Sequence, residues 1–165
     1  VSAFHESDLL AMRKAIELSR EGVRKGAGGP FGAVVTRNGR PIASAYNRVL
    51  RDCDPTAHAE IAAIRQACAA IGSFSLSECT LYTSCLPCPM CLSAALWARI
   101  PLCWYANTSQ DAQRLGFDDA FFYKIIPIPT DEGPIRLLQA PDQALLAAAR
   151  EVFDETLAMP NFRLY

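Results

Sequence analysis

Histidine is scarce in this sequence: 165 residues contain only His5 and His58. Charge is sparse too, at 20% of residues with a formal net charge of −1. That balance excludes the broad basic surface by which a protein holds nucleic acid or an anionic membrane through charge alone. Long apolar runs are missing as well. The nearest approach, CLSAALWARIPLCWYA from Cys91, is broken by Arg99 and Pro101, so no membrane span is expected. The stretch VSAFHESDLL at positions 1–10 is acidic and has no apolar h-region, so no export signal is read there. Repeats, low-complexity tracts and linker-like boundaries are likewise missing. The expectation is one domain over residues 1–165, its last segment, 155–165, forming a C-terminal arm.

What remains is apolar and rich in sulfur. Hydrophobic residues make up 51% of the chain, enough for a proper core. The lean charge is consistent with a large subunit interface. Seven cysteines stand at 53, 68, 79, 85, 88, 91 and 103, an odd number with three crowded into one heptad. Without an export signal, metal ligation or reduced thiols in the cytoplasm fit them better than a disulfide framework.

Periodicity predicts a helix over 8–25 with Ser7 as N-cap and Gly26 as its stop. Two β-rich runs in FGAVVTRNGRPIASAYN meet at Asn38-Gly39, a hairpin signal. The loop GAGGPFG before them is read as a turn into a strand, because no Gly-Lys-Ser/Thr follows and no helix opens there. A second helix is expected over 57–71, stopped by Gly72, then a short strand over 79–84. Pro89 suits the first turn of a third helix, PMCLSAALWA. A fourth strand (PLCWYAN), irregular helical turns between 109 and 125, a fifth strand (IRLLQA) and a helix over 142–158 complete the chain. Helices alternating with strands around one hairpin imply an α/β fold with a mixed sheet covered on both faces.

Two short segments could carry chemistry. In DPTAHAEIAAIRQ, His58 stands two residues before Glu60. On a helix such residues point about 200° apart, so both can address one point only at the helix's first turn, where Pro55 and Thr56 put it. In TSCLPCPMC, Cys88 and Cys91 form a C-x-x-C across a strand-to-helix junction, where first-turn amides favour thiolates. One imidazole and two thiolates suit zinc, and three protein ligands leave a place for water, as in catalytic sites. Spacing leaves a second arrangement open, in which Cys85 completes a Cys₃His set and the zinc is structural. Pro87 and the exit from the strand argue for Cys85 aiming away.

HAE followed by PCPMC is the H-x-E…P-C-x-x-C signature of zinc nucleobase deaminases. With GGPFGAVV, DPTAHAEI, LYTSCLPCPMC, WAR, GFDD and FFYK, residues 21–124 resemble the bacterial guanine deaminases of the cytidine/deoxycytidylate deaminase superfamily. The resemblance implies a three-layer α/β/α cytidine-deaminase-like fold with a mixed five-stranded sheet. It implies one Zn²⁺ per chain held by His58, Cys88 and Cys91, with Glu60 as proton shuttle and Asp119 as a second acid. It also implies Asn47, Phe31, Trp97 and Tyr165 at the base pocket, the last reaching from the partner of a homodimer, with the arm swapped. Leu86 departs from the pattern, because many relatives are acidic there. The implied reaction is hydrolytic deamination of guanine to xanthine and ammonia. Cytosine, guanosine, aminotriazines and tRNA adenosine remain alternative substrates, and a zinc-stabilised interaction module is the alternative outside catalysis. Residues 131–165 hold six acids against three arginines, which disfavours a stable nucleic-acid partner.

Overall fold

The computed structural model describes residues 3–117, 119–126 and 133–165, without the side chains of Asp119 and Ala120. The elements run α1 (Glu6–Arg24), β1 (Gly32–Arg37), β2 (Arg40–Tyr46), α2 (Val49–Asp52), α3 (Ala59–Ile71) and β3 (Cys79–Cys85). There follow α4 (Pro89–Trp97), β4 (Leu102–Asn107), α5 (Ser109–Arg114), α6 (Asp119–Ile125), β5 (Arg136–Gln139) and α7 (Gln143–Leu157). Strand order is β2-β1-β3-β4-β5. The strand β1 is antiparallel to β2 and β3, while β3, β4 and β5 are parallel. The mixed five-stranded sheet is therefore the one expected.

The hairpin forms where Asn38 and Gly39 predict it: both adopt left-handed φ, 52° and 71°, as a two-residue turn matched to strand twist demands. Alternation then sorts β1 by face. Ala33 and Val35 join a cluster with α3 and α4, whereas Val34 joins one with α1 and α7. Helices thus cover both faces of the sheet. The face of α3 is built from Ala59, Ala62, Ala63 and Ala67, all buried, and such small side chains let the helix lie close to the strands. Across the other face, Arg20 and Arg24 of α1 pair with Glu151 and Glu155 of α7.

Three local expectations change. The first helix starts two residues early, because Asp8 closes its first turn by accepting the His5 N–H at 2.7 Å. The same carboxylate accepts the Tyr82 hydroxyl from β3, so the helix start is also tied to the sheet. The short helix α2 was not expected; it is four residues long, too short for a periodic signal, and ends at Cys53 with φ 50°. The irregular turns of 109–125 resolve into α5 and α6, the former capped by Thr108 through the Asp111 N–H. No helix among the described residues is long and apolar enough to cross a membrane.

Candidate metal centre

Two helix starts converge at the carboxyl end of β3. His58 is the N-cap of α3 and Cys88 the N-cap of α4, each with extended backbone, and Pro89 opens α4. Cys91 lies in the first turn of α4. The chain reaches Cys88 through Leu86, whose N–H is held by the Asn107 carbonyl at 2.8 Å, so β4 fixes the turn that delivers the thiol. Nδ1 of His58 faces Cys91 Sγ at 3.5 Å and Cys88 Sγ at 3.7 Å. Zinc–nitrogen and zinc–sulfur bonds of about 2.0 and 2.3 Å at tetrahedral angles set donors roughly 3.5–3.8 Å apart. Both nitrogen–sulfur separations therefore already stand at the spacing one zinc ion requires, and the three donor atoms, all within 4.8 Å of one another, form the metal-competent cluster found among the described residues.

Cys85 is not part of that cluster. Its Sγ turns to the Thr108 carbonyl at 3.5 Å, and its side chain packs with Ala112, Leu115, Phe117 and Phe153. The Cys₃His arrangement that spacing left open is not assembled here, since the chain turns Cys85 to the other side of the strand end. Glu60 lies within the first turn of α3, 7% exposed, and is not one of the clustered ligands. Burial pushes its carboxyl up to about 7, against the pull of His58, which is the range useful to a group that takes and returns a proton near neutrality. The Cys88 thiol is held down at about 4 by hydrogen bonding from Cys91, with His58 adding to the effect, whereas burial pushes Cys91 up. The centre thus favours a thiolate at Cys88.

Beside the donors lies a hollow of about 370 Å³ with mostly apolar walls, among them Pro55, Met90, Phe122 and Ile126, reaching His58 and Cys88. Phe122 and Ile126 come from α6 and the residue after it. The hydroxyl of Tyr123 donates to the Pro87 carbonyl, clipping α6 to the turn before Cys88. None of these wall residues was expected at the pocket from the sequence, although FFYK was part of the resemblance and contains Phe122.

The remaining expected residues separate into near and far. Asn47 is fully buried on the loop that borders the centre: Arg48, next in the chain, donates to the Ala57 carbonyl beside His58. Its Oδ1 accepts the N–H groups of Gly29 and Val49, and its Nδ2 has no partner among the described residues. Phe31 makes edge contacts with Phe117 at 5.0 Å and Phe153 at 5.9 Å, so core packing accounts for it. Asp119 opens α6, but its side chain lies outside the described residues. Trp97 ends α4, about 13 Å of helix from Cys88, and is 85% exposed. Within one chain it is not among the residues that line the hollow. Tyr165 lies over the GAGG loop of its own chain. Its Oη accepts the Gly29 N–H at 3.3 Å, and its ring meets Phe117 at 5.4 Å. The tail folds back rather than extending outward, because Phe117 gives both Phe162 and Tyr165 an aromatic face to pack on.

Residues 5–107 match the cytidine and deoxycytidylate deaminase zinc-binding region. The guanine deaminase of Bacillus subtilis (strain 168) is 50% identical over 128 residues, covering 78% of this chain and 82% of that protein. A solved structure of guanine deaminase from Bacillus subtilis superposes with a TM-score of 0.70 at 43% identity, covering 95% of this chain and 98% of that one. A tRNA-specific adenosine deaminase of the same organism is 40% identical over 93 residues, covering 56% of this chain and 57% of that protein. The matched region contains all three clustered donors and Glu60, and the sheet has the five strands and mixed sense that the resemblance implied: the chain belongs to the zinc-binding cytidine and deoxycytidylate deaminase family.

Proposed function

We propose that this chain is a hydrolytic deaminase of a free nucleobase, converting guanine and water to xanthine and ammonia. The observation that carries it is the cluster of His58, Cys88 and Cys91 donors, all within 4.8 Å of one another, with buried Glu60 beside it and not among them. A structural zinc site would need a fourth protein ligand and no carboxyl in that place. Zinc held by the three donors supplies Lewis acidity and lowers the pKa of water to about 7. Glu60 takes one proton from the attacking water and gives it to a ring nitrogen, then carries the second proton of that water, released as the new carbonyl forms, to the departing amine. Asp119 serves the same amine as a second acid. Asn47 offers its Nδ2 donors to the base, and the apolar walls exclude competing water.

Guanine is preferred over tRNA adenosine because the similarity to the guanine deaminase spans most of both chains, whereas that to the tRNA enzyme spans little over half. The acidic balance of residues 131–165 agrees, although Glu151 and Glu155 are taken up by the arginines of α1. Seven free cysteines suit a reducing compartment, the cytoplasm. The working unit is a homodimer that covers Trp97 and exchanges the C-terminal arm, making across the interface the contacts that Tyr165 makes here within one chain. Ammonia release from a panel of guanine, cytosine, guanosine, an aminotriazine and a tRNA anticodon stem-loop tests the reading, before and after chelation and with zinc restored. Guanine should lead, with xanthine formed mole for mole. Faster deamination of the stem-loop adenosine would refute the substrate, and activity that survives chelation would refute the chemistry.

A further inference from the structure

Gly28 has no conformational reason to be glycine. Gly26, Gly39, Gly72 and Gly116 have left-handed φ, and Gly28 does not. What excludes a side chain there is Asn47. A Cβ on residue 28 would stand 2.1 Å from Asn47 Oδ1 and 3.1 Å from both its Cγ and its backbone oxygen. That same Oδ1 accepts the Gly29 N–H at 3.3 Å and the Val49 N–H at 3.1 Å. Two backbone donors on one atom identify it as the oxygen, because a half-turn of the amide would set NH₂ against two N–H groups. The loop therefore consumes the acceptor of Asn47 and leaves its Nδ2 donors without a partner among the described residues, in a side chain that is 0% exposed. A buried donor left in that state is costly unless a ligand completes it.

We propose that Gly28 is a specificity-determining positioning residue: its missing side chain lets the loop close on Asn47 and fix the carboxamide with only its donors available. The base then meets a donor and no acceptor at this point, which selects a carbonyl oxygen over an amine. This rests on the guanine reading above. Guanine and 2,6-diaminopurine share the 2-amino group that would leave, and differ in carrying oxygen or an amine at position 6. They are therefore the pair that reads the amide's orientation.

The experiment is a double-mutant cycle on the zinc-loaded enzyme with Gly28→Ala, Asn47→Ala and both together. Gly28→Ala should keep its zinc, raise the guanine KM at least ~10-fold, and lower the guanine to 2,6-diaminopurine ratio of kcat/KM at least ~5-fold, while in the Asn47→Ala background it should change either quantity less than ~2-fold. Equal losses in both backgrounds, or an unchanged ratio in Gly28→Ala, would overturn the proposal. Should Gly28→Ala alone not fold, folding of the double variant as well as Asn47→Ala supports the coupling, and its failure to fold overturns it. Wild-type turnover tests the guanine reading separately. If another base is preferred, the cycle run on that base still reports whether Gly28 acts through Asn47.

Discussion

Cys85 and Cys88 lie three residues apart and carry the same thiol, yet only one faces His58. The difference is where the strand ends: Cys85 is the last residue of β3 and turns to the Thr108 carbonyl, while Cys88 caps α4 and turns to Nδ1. Metal analysis of dialysed protein should therefore find one zinc per chain in wild type and in Cys85→Ser, and almost none in Cys88→Ser or Cys91→Ser. Zinc loss from Cys85→Ser would bring back a four-ligand structural site. Glu60 calls for the opposite pattern. Glu60→Gln keeps size and polarity but cannot carry a proton, so zinc content and melting temperature should hold while kcat falls at least ~10²-fold. Unchanged turnover in that variant would remove Glu60 from the chemistry.

At the scale of elements, α3 and α4 carry the donors and α6 supplies part of the wall beside them. The Tyr123 hydroxyl joins it to the Pro87 carbonyl, so Phe122 and Ile126 are held at the mouth of the hollow by the same turn that delivers Cys88. A neutral hydrogen bond of this kind contributes about 1 kcal/mol, close to a factor of five. Tyr123→Phe should raise the guanine KM by about that factor with kcat and zinc unchanged. A fall in zinc content instead would show that the bond positions the ligand turn rather than the mouth. This contact also marks where reading the sequence stops. Elements with strong local causes were legible: Asn38-Gly39 dictates its hairpin, Gly72 ends α3, and Pro89 opens α4. The three metal donors were legible because each spacing is tied to a helix start. Asp8 took the capping role from Ser7 because its carboxylate also reaches Tyr82, 74 residues away, a partner no local pattern reveals. Asn47 was legible as a polar group, but the split between its bound oxygen and its unpartnered nitrogen depends on amides 18 residues earlier and two residues later. For Trp97 a motif fixes position along α4 and not distance from the site, and within one chain the residue stands outside the hollow.

The tail poses the question of assembly. After α7 ends, Pro160 turns the chain back, and Phe162 and Tyr165 settle on Phe117 while Leu164 and Tyr165 remain about half exposed. The Gly29 N–H that Tyr165 accepts belongs to the same loop that holds Asn47, so the tail packs on the loop that fixes that amide. Exchange of this segment between two copies would keep every one of those contacts and alter only the path through residues 158–161. Deleting residues 160–165 should leave zinc and fold intact, because the tail contributes no donor and little of the buried core, but should lower guanine turnover sharply. Mixing that protein with Glu60→Gln then separates exchange from fold-back. In a mixed dimer with exchanged tails, the tail-deleted subunit keeps its own Glu60 and receives an intact tail. One of two sites is then complete, and activity should return to about half that of the wild-type dimer. With tails folded on their own chains, one subunit lacks the cover and the other lacks the proton carrier. Mixed dimers isolated with two affinity tags and still inactive would place Tyr165 over the pocket of its own chain.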